Sequence, residues 1–368
     1  KQIGGPGPGV FRRTVLLEQT YLWPDPEPAQ HVPQNAAQHL TFSAAGLPGR
    51  RLKDFKLYLG VPPEFEVVGS TGYYGRNSET KARFVPSGPD RITRGGKEML
   101  VYTVSASGPL VHRTKVSILE LFNVLVRYRG PEKPADEYRF EFWTEAEGGS
   151  VTECVQSFPV RVSPPLQGKQ PRKLVWQLWG SYFSAMDDAA SKKAMLATAR
   201  AAGFNNIVAG SLEDTQLAAV YGLTNTMGIN FEPWSLDRAG YLRANPADAL
   251  VDSKGNRSKQ HVCTTVLLDS GWDDVAHMLR EKIAAARPRF VDWDYESSPF
   301  DSYLSCYCER CLKAFRAHAE LPAEIDLAPE SIHAKHGELW VDFMTTRNAE
   351  VAERFRQVAN EAGARFCM

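Results

Sequence analysis

The chain carries no excess of either charge: its 368 residues include 43 Lys and Arg and 43 Asp and Glu. Nucleic acid or an acidic membrane surface therefore meets no net field here, and no nucleic-acid partner is expected. No apolar run is long enough to span a bilayer. Cysteines number only six, and their spacing does not suggest a disulfide-stapled scaffold. The first residue is Lys rather than Met, so the start is trimmed, processed or not included in this sequence, which is silent on a signal peptide.

What is present changes character at one point. Residues 1–10 are rich in Gly and Pro. From Phe11 to Val162, short β-type runs alternate with turn chemistry. Expected strands are Arg13–Leu17, His39–Ser43, Phe55–Leu59, Glu66–Val68, Met99–Val104, Val116–Tyr128, Tyr138–Trp143 and Cys154–Val162. The turn-formers between them include Leu47-Pro48-Gly49, Pro86-Ser87-Gly88-Pro89-Asp90 and Glu147-Gly148-Gly149-Ser150. This reads as an Ig-like β-sandwich over residues 1–162. Its loop aromatics Trp23, Tyr73 and Tyr74 form a sugar-stacking platform or fold back onto the sheets. Residues 163–172 read as a Pro-stiffened linker.

Beyond the linker, strand alternates with helix. Lys173–Trp179, Asn206–Ala209, Asn225–Phe231 and Phe290–Glu296 read as strands, and Ala364–Met368 opens a fifth. Helices are expected from about Asp187 to Ala202, and over Leu212–Leu223, Asp273–Arg287, Cys308–His318 and Glu330–Ala362. Such alternation implies parallel strands with covering helices. No G-x-G-x-x-G follows the first of these strands, so a dinucleotide-binding sheet is disfavoured. The expected fold is multidomain, an all-β sandwich followed by an α/β region. That region, residues 173–368, is read as the first half of a (β/α)8 TIM barrel, incomplete at its C-terminus.

Two clusters carry chemistry. Asp292, Asp294 and Glu296 occupy every second position, so in a strand they project from one face. The two aspartates would raise the pKa of Glu296 by repulsion, which suits a general acid near neutral pH. Paired ions or a helix cap are the structural alternative. Glu232, Trp234, Trp179, Trp293 and Tyr295 are candidate substrate-binding residues from their places at strand ends, although Trp293 alternates away from the acids. Cys306, Cys308 and Cys311 form C-x-C-x2-C, a spacing that suits thiolate ligands to one metal ion. A closed structural zinc site takes four ligands. Cys263 is the natural fourth, with His261 in reserve. Cys154 and Cys367 read as buried small apolar residues.

The order of Cys263, then Glu296, then Cys306-Tyr307-Cys308-Glu309-Arg310-Cys311-Leu312-Lys313-Ala314-Phe315 resembles glycoside hydrolase family 42 β-galactosidases and their relatives. Leu339-Trp340-Val341-Asp342-Phe343 is similar too. The resemblance implies that Glu296 is the acid/base of a retaining hydrolase and that Cys263, Cys306, Cys308 and Cys311 hold a structural zinc. Tyr295 stands where that family has Asn, and its nucleophile would lie outside this sequence, so a divergent family is implied rather than β-galactosidase activity itself. Asp292-Trp293-Asp294-Tyr295-Glu296 also resembles the D-x-D-x-E of family 18 chitinases, in which the substrate's acetamido group is the nucleophile. A non-catalytic glycan-binding protein is the reading from another class. A carbohydrate partner and a periplasmic or secreted location are expected, and an oligomer is left open.

Overall fold

The computed structural model describes residues 21–24, 29–45, 51–72, 84–108, 110–111, 120–147, 155–172, 174–175, 177–178, 183, 186, 188–208, 210–229, 238–293 and 305–367. The chain divides into two compact units, residues 1–207 with 220–223 and residues 208–219 with 224–368.

The first unit begins with β1 (Tyr21–Pro24), β2 (Gln30–Pro33), β3 (Ala37–Ala45), β4 (Arg51–Val61), β5 (Phe65–Gly72) and β6 (Phe84–Arg94). There follow β7 (Lys97–Ala106), β8 (Leu110–Val111), β9 (Glu120–Tyr128), β10 (Tyr138–Glu147) and β11 (Gln156–Ser163). β12 (Gln177–Leu178), α1 (Ala189–Ala202) and β13 (Asn206–Val208) complete it.

Two sheets enclose one core. One has the order β1-β3-β9-β5; the other runs β2-β11-β10-β4-β7-β6, with β8 on β4. Alternation sets the inward face: Phe55, Leu57, Leu59 and Val61 of β4 are each at most 2% exposed. Burying each such side chain contributes roughly 1.5–3 kcal/mol. From β3 and β9, Leu40, Phe42, Val124 and Val126 meet them. Phe65 packs edge-on to Tyr128, Tyr138 and Phe140 at ring separations of 5.2, 5.0 and 4.8 Å, a favoured aromatic arrangement. On the β1-β3-β9-β5 sheet, Glu66 of β5 pairs with Arg127 of β9 and with Arg129. β6 occupies Pro86–Asp90, which reads as a turn in the sequence. It is an edge strand, where a proline leaves no ladder donor missing.

α1 starts at Asp188, whose carboxylate accepts from Ser191 N at 2.7 Å, and stops at Gly203 in the left-handed region. It lies on the β3–β5 face. Thr198 Oγ1 accepts from Ala37 N at 3.1 Å and donates to Ala37 O at 3.0 Å. A Cβ on Gly69 would come within 1.6 Å of Ser191 Oγ, so this close approach requires glycine. Residues 163–172 are also held within this unit: Asn35 exchanges two hydrogen bonds with Leu166, and Gly168 N donates to Ala201 O.

The second unit contains α2 (Leu212–Val220), β14 (Thr224–Ile229), α3 (Arg238–Ala244), β15 (Ala249–Val251), β16 (Arg257–Val262) and α4 (Thr264–Leu268). α5 (Trp272–Ala286), β17 (Phe290–Trp293), α6 (Glu309–His318), α7 (Pro329–Lys335), α8 (Gly337–Glu361) and β18 (Arg365–Cys367) follow. β14, β17 and β18 are parallel, with Gly228, Asp292 and Cys367 in register. Met227, Ile229, Val291 and Trp293 share a core with Val275, Leu279 and Ile283 of α5 and with Val351, Phe355 and Val358 of α8. A smaller core gathers Tyr307, Phe315, Ile332, Trp340 and Phe343. The expected helix over Glu330–Ala362 is two helices, broken at His336 ahead of Gly337.

The expected partial (β/α)8 barrel is overturned. Among the described residues, the parallel strands after residue 172 form no closed barrel. These strands are short, from two residues in β12 to six in β14. The helix expected to cover the first barrel strand, α1, lies instead on the sheet formed by β3 and β5. Most of the strands described belong to the sheets of the first unit.

Two outcomes test these assignments. Gly69→Ala should destabilise the first unit by roughly 1–3 kcal/mol through overpacking, and S191G should recover part of the loss; additive effects would remove the proposed contact. Burial pulls His39 down to about 4 from 6.5. The unfolded chain therefore takes up a proton below pH 6.5 that the folded chain refuses until about pH 4. Stability is full above that window and falls with pH across it, by at most about 1.4 kcal/mol per pH unit. Urea titrations of H39Q should show a flatter dependence than the parent between those limits; an unchanged slope would contradict the assignment.

Candidate metal centre

The second unit brings four cysteines together. The Sγ atoms of Cys263, Cys306, Cys308 and Cys311 all lie within 4.8 Å of one another, and the group can hold a metal ion. Cys263 Sγ is 3.5 Å from Cys308 Sγ and 3.3 Å from Cys311 Sγ. A tetrahedral ion with metal–sulfur bonds of about 2.3 Å separates its sulfurs by ~3.8 Å. The spacing fits, and so does the donor chemistry, since four soft thiolates suit zinc or a similar ion. His261 is not one of the four clustered ligands.

Local structure aims each sulfur. Cys263 closes β16 and caps α4, with its backbone N–H donating to Asp248 O at 2.8 Å. Cys308 is the N-cap of α6, and Cys311 lies in that helix's first turn. The helix dipole there favours a thiolate. Cys306 is positioned by the β15–β16 hairpin: Val251 N donates to its Sγ at 3.4 Å, and Tyr307 N donates to Val251 O at 2.9 Å. Cys263, Cys306 and Cys311 are at most 1% exposed and belong to the unit's main core.

Four like charges cannot crowd together in a buried place without a cation. The thiols divide accordingly. Hydrogen bonding from Cys306 draws Cys263 down to about 7, and contact with Cys263 lowers Cys308. Contact with Cys263 raises Cys306 and Cys311.

The acidic row is seen only in part. Asp292 is half-buried on β17, beside Gly228 and Cys367. Burial, with Asp292's charge and hydrogen bond added, pushes Cys367 up to about 11, leaving a protonated thiol beside the carboxylate. Cys367 is thus half-buried and polar in its contacts rather than a purely apolar filler. Trp293 is 2% exposed in the core with Val291 and Leu279. This corrects its reading as a sugar-stacking surface, because strand alternation turns it away from the Asp292 face. Asp294, Tyr295, Glu296, Trp179, Glu232, Trp234, Tyr73, Tyr74 and Cys154 lie outside the described residues. So does the expected strand Arg13–Leu17. No helix among the described residues is long and apolar enough to cross a membrane.

No family model matches the chain, and no curated protein matches it. Among solved structures, a cohesin module from a Clostridium perfringens family 33 glycoside hydrolase is similar at 10% identity and a TM-score of 0.25, covering 40% of this chain and 99% of that one. A non-cellulosomal cohesin from Archaeoglobus fulgidus is similar at 15% identity and a TM-score of 0.21, covering 39% and 91%. A DUF4466 family protein from Parabacteroides merdae is similar at 12% identity and a TM-score of 0.21, covering 41% and 46%. Likenesses of this size carry no argument about function.

Metal analysis after chelator-free purification is expected to find about one ion per chain, and cobalt substitution should give the absorption of a tetrahedral thiolate site. C263S should lose the metal. Free metal at a thousand times its Kd should stabilise the second unit by about 4 kcal/mol. Metal well below one per chain, with no cobalt signature, would exclude the site.

Proposed function

We propose that the chain is a glycoside hydrolase acting on an oligo- or polysaccharide, with Glu296 as general acid/base and a structural zinc beside it. The observation that supports this is the convergence of Cys263 with the C-x-C-x2-C segment. The resemblance to family 42 glycosidases implies that pairing, on either side of the acid-bearing strand. Four protein sulfurs leave a tetrahedral ion no open position, so the zinc braces the fold rather than binding substrate.

In this reading Glu296 protonates the glycosidic oxygen and later removes a proton from the attacking water. A carboxylate nucleophile about 5 Å away would complete a retaining double displacement. If the substrate instead supplies the nucleophile, as in the D-x-D-x-E enzymes, only N-acetylated glycans would be cleaved. Tyr295, where the similar family has Asn, favours a second reading: a glycan-binding protein that does not hydrolyse.

A panel of aryl glycosides and defined oligosaccharides separates these. For the hydrolase, E296Q should lower turnover by a factor of about 10²–10⁴, with metal content and melting temperature unchanged. Glycan binding that is equal in parent and E296Q, with turnover in neither, would favour the binding protein. Neither binding nor turnover would refute both.

A further inference from the structure

A tetrathiolate complex of a divalent ion carries two net negative charges inside a core, and its stability depends on what surrounds the sulfurs. Thr265 Oγ1 lies 2.9 Å from Cys311 Sγ. Once that sulfur is a thiolate it accepts only, so the hydroxyl must donate. Val251 N–H donates to Cys306 in the same manner.

Arg310 stands one residue before Cys311 on α6. Its Nη1 is 2.9 Å from Asp248 Oδ1, and its Nη2 donates to Ala247 O at 2.7 Å. Both anchors sit in the single 3-10 turn Pro246–Asp248 that leads into β15. Asp248 is held in turn by Tyr241, whose hydroxyl donates to Oδ2 at 3.1 Å. Burial first, and then Asp248, pushes that hydroxyl up to about 12, so it remains a donor at neutral pH. The guanidinium is therefore fixed at the rim rather than swinging free.

We propose that Thr265, by donating to Cys311, and the Arg310–Asp248 pair, by tying the start of α6 to the turn ahead of β15, set how tightly the four-cysteine centre keeps its ion. The proposal rests on the reading that these cysteines bind metal. It assigns Thr265, Arg310 and Asp248 as positioning residues, distinct from the four ligands. The Arg310 side chain, next to Cys311 in the chain, ties α6 to the turn that leads into the hairpin.

The test is the rate and affinity of zinc transfer to a chromogenic chelator from the full chain and from T265V, R310M and R310K, with R356M as a control on a remote exposed ion pair. Loss of an outer partner typically weakens metal binding by 10–100-fold. T265V and R310M should each fall in that range, R310K should recover part of the loss, and R356M should match the parent. Cobalt spectra of metal-saturated variants should retain the tetrahedral thiolate bands, which separates weakened retention from a collapsed site. If T265V and R310M release zinc within twofold of the parent, this inference is overturned while the metal site stands. A parent chain that binds no metal would overturn both. Variants that have lost the cobalt bands at saturating metal would assign the residues to folding rather than retention, and would also overturn it.

Discussion

Four sulfur atoms within 4.8 Å of one another, nearly all shut off from solvent, pose a charge problem that the second unit is built around. Protonated, they pack as small apolar groups beside Val262, Val266 and Leu267. Ionised, they repel one another unless a cation sits among them. The hairpin β15–β16, the short helix α4 and the start of α6 all end at this point. Their mutual placement therefore depends on how that charge is settled. A bound ion changes the thiols from weak, partly protonated neighbours into four bonds of fixed direction.

Local rules carried the sequence reading far in the first unit. The alternation of Phe55, Leu57, Leu59 and Val61 announces a half-buried strand, and β4 is one. β6 was hidden because Pro86, Gly88 and Pro89 signal a turn in isolation, and only its place at a sheet edge makes them tolerable. The β15–β16 hairpin was hidden by its polar tip, where Asp252 accepts from Lys254 N and Asn256 N. Alternating strands and helices do not state whether a parallel sheet closes. That is decided by pairing between distant segments, such as that of β18 with β17. The docking of α1 onto β5 hinges on the missing side chain of Gly69, a detail that composition and period do not display.

The site was legible to the extent that its chemistry is local. C-x-C-x2-C is a ligand spacing in its own right, and a fourth thiolate had to come from elsewhere. The layer around it was not legible. Thr265 meets Cys311, Val251 meets Cys306 and Arg310 meets Ala247 across 46, 55 and 63 residues. Nothing in the stretches that hold Thr265, Val251 or Ala247 marks them as neighbours of a metal. Of the acidic row only Asp292 is among the described residues, and Trp293, next to it, turns to the opposite face and into the core. The partner of Asp292 on the next strand, Cys367, had been read only as a filler.

Cys263 and Cys308 are 45 residues apart, and α4, α5 and β17 all lie between them. An ion bound by both acts as a reversible cross-link around that segment. By the chain-entropy relation used for disulfides, closing such a loop removes about 4 kcal/mol of freedom from the unfolded chain. The staple needs no oxidant and opens when the ion is withdrawn. A protease that cuts the backbone between helices α5 and α6 would then leave two fragments fastened at the sulfurs as well as through the core that α5 and α8 share, and a chelator would remove the first of these links.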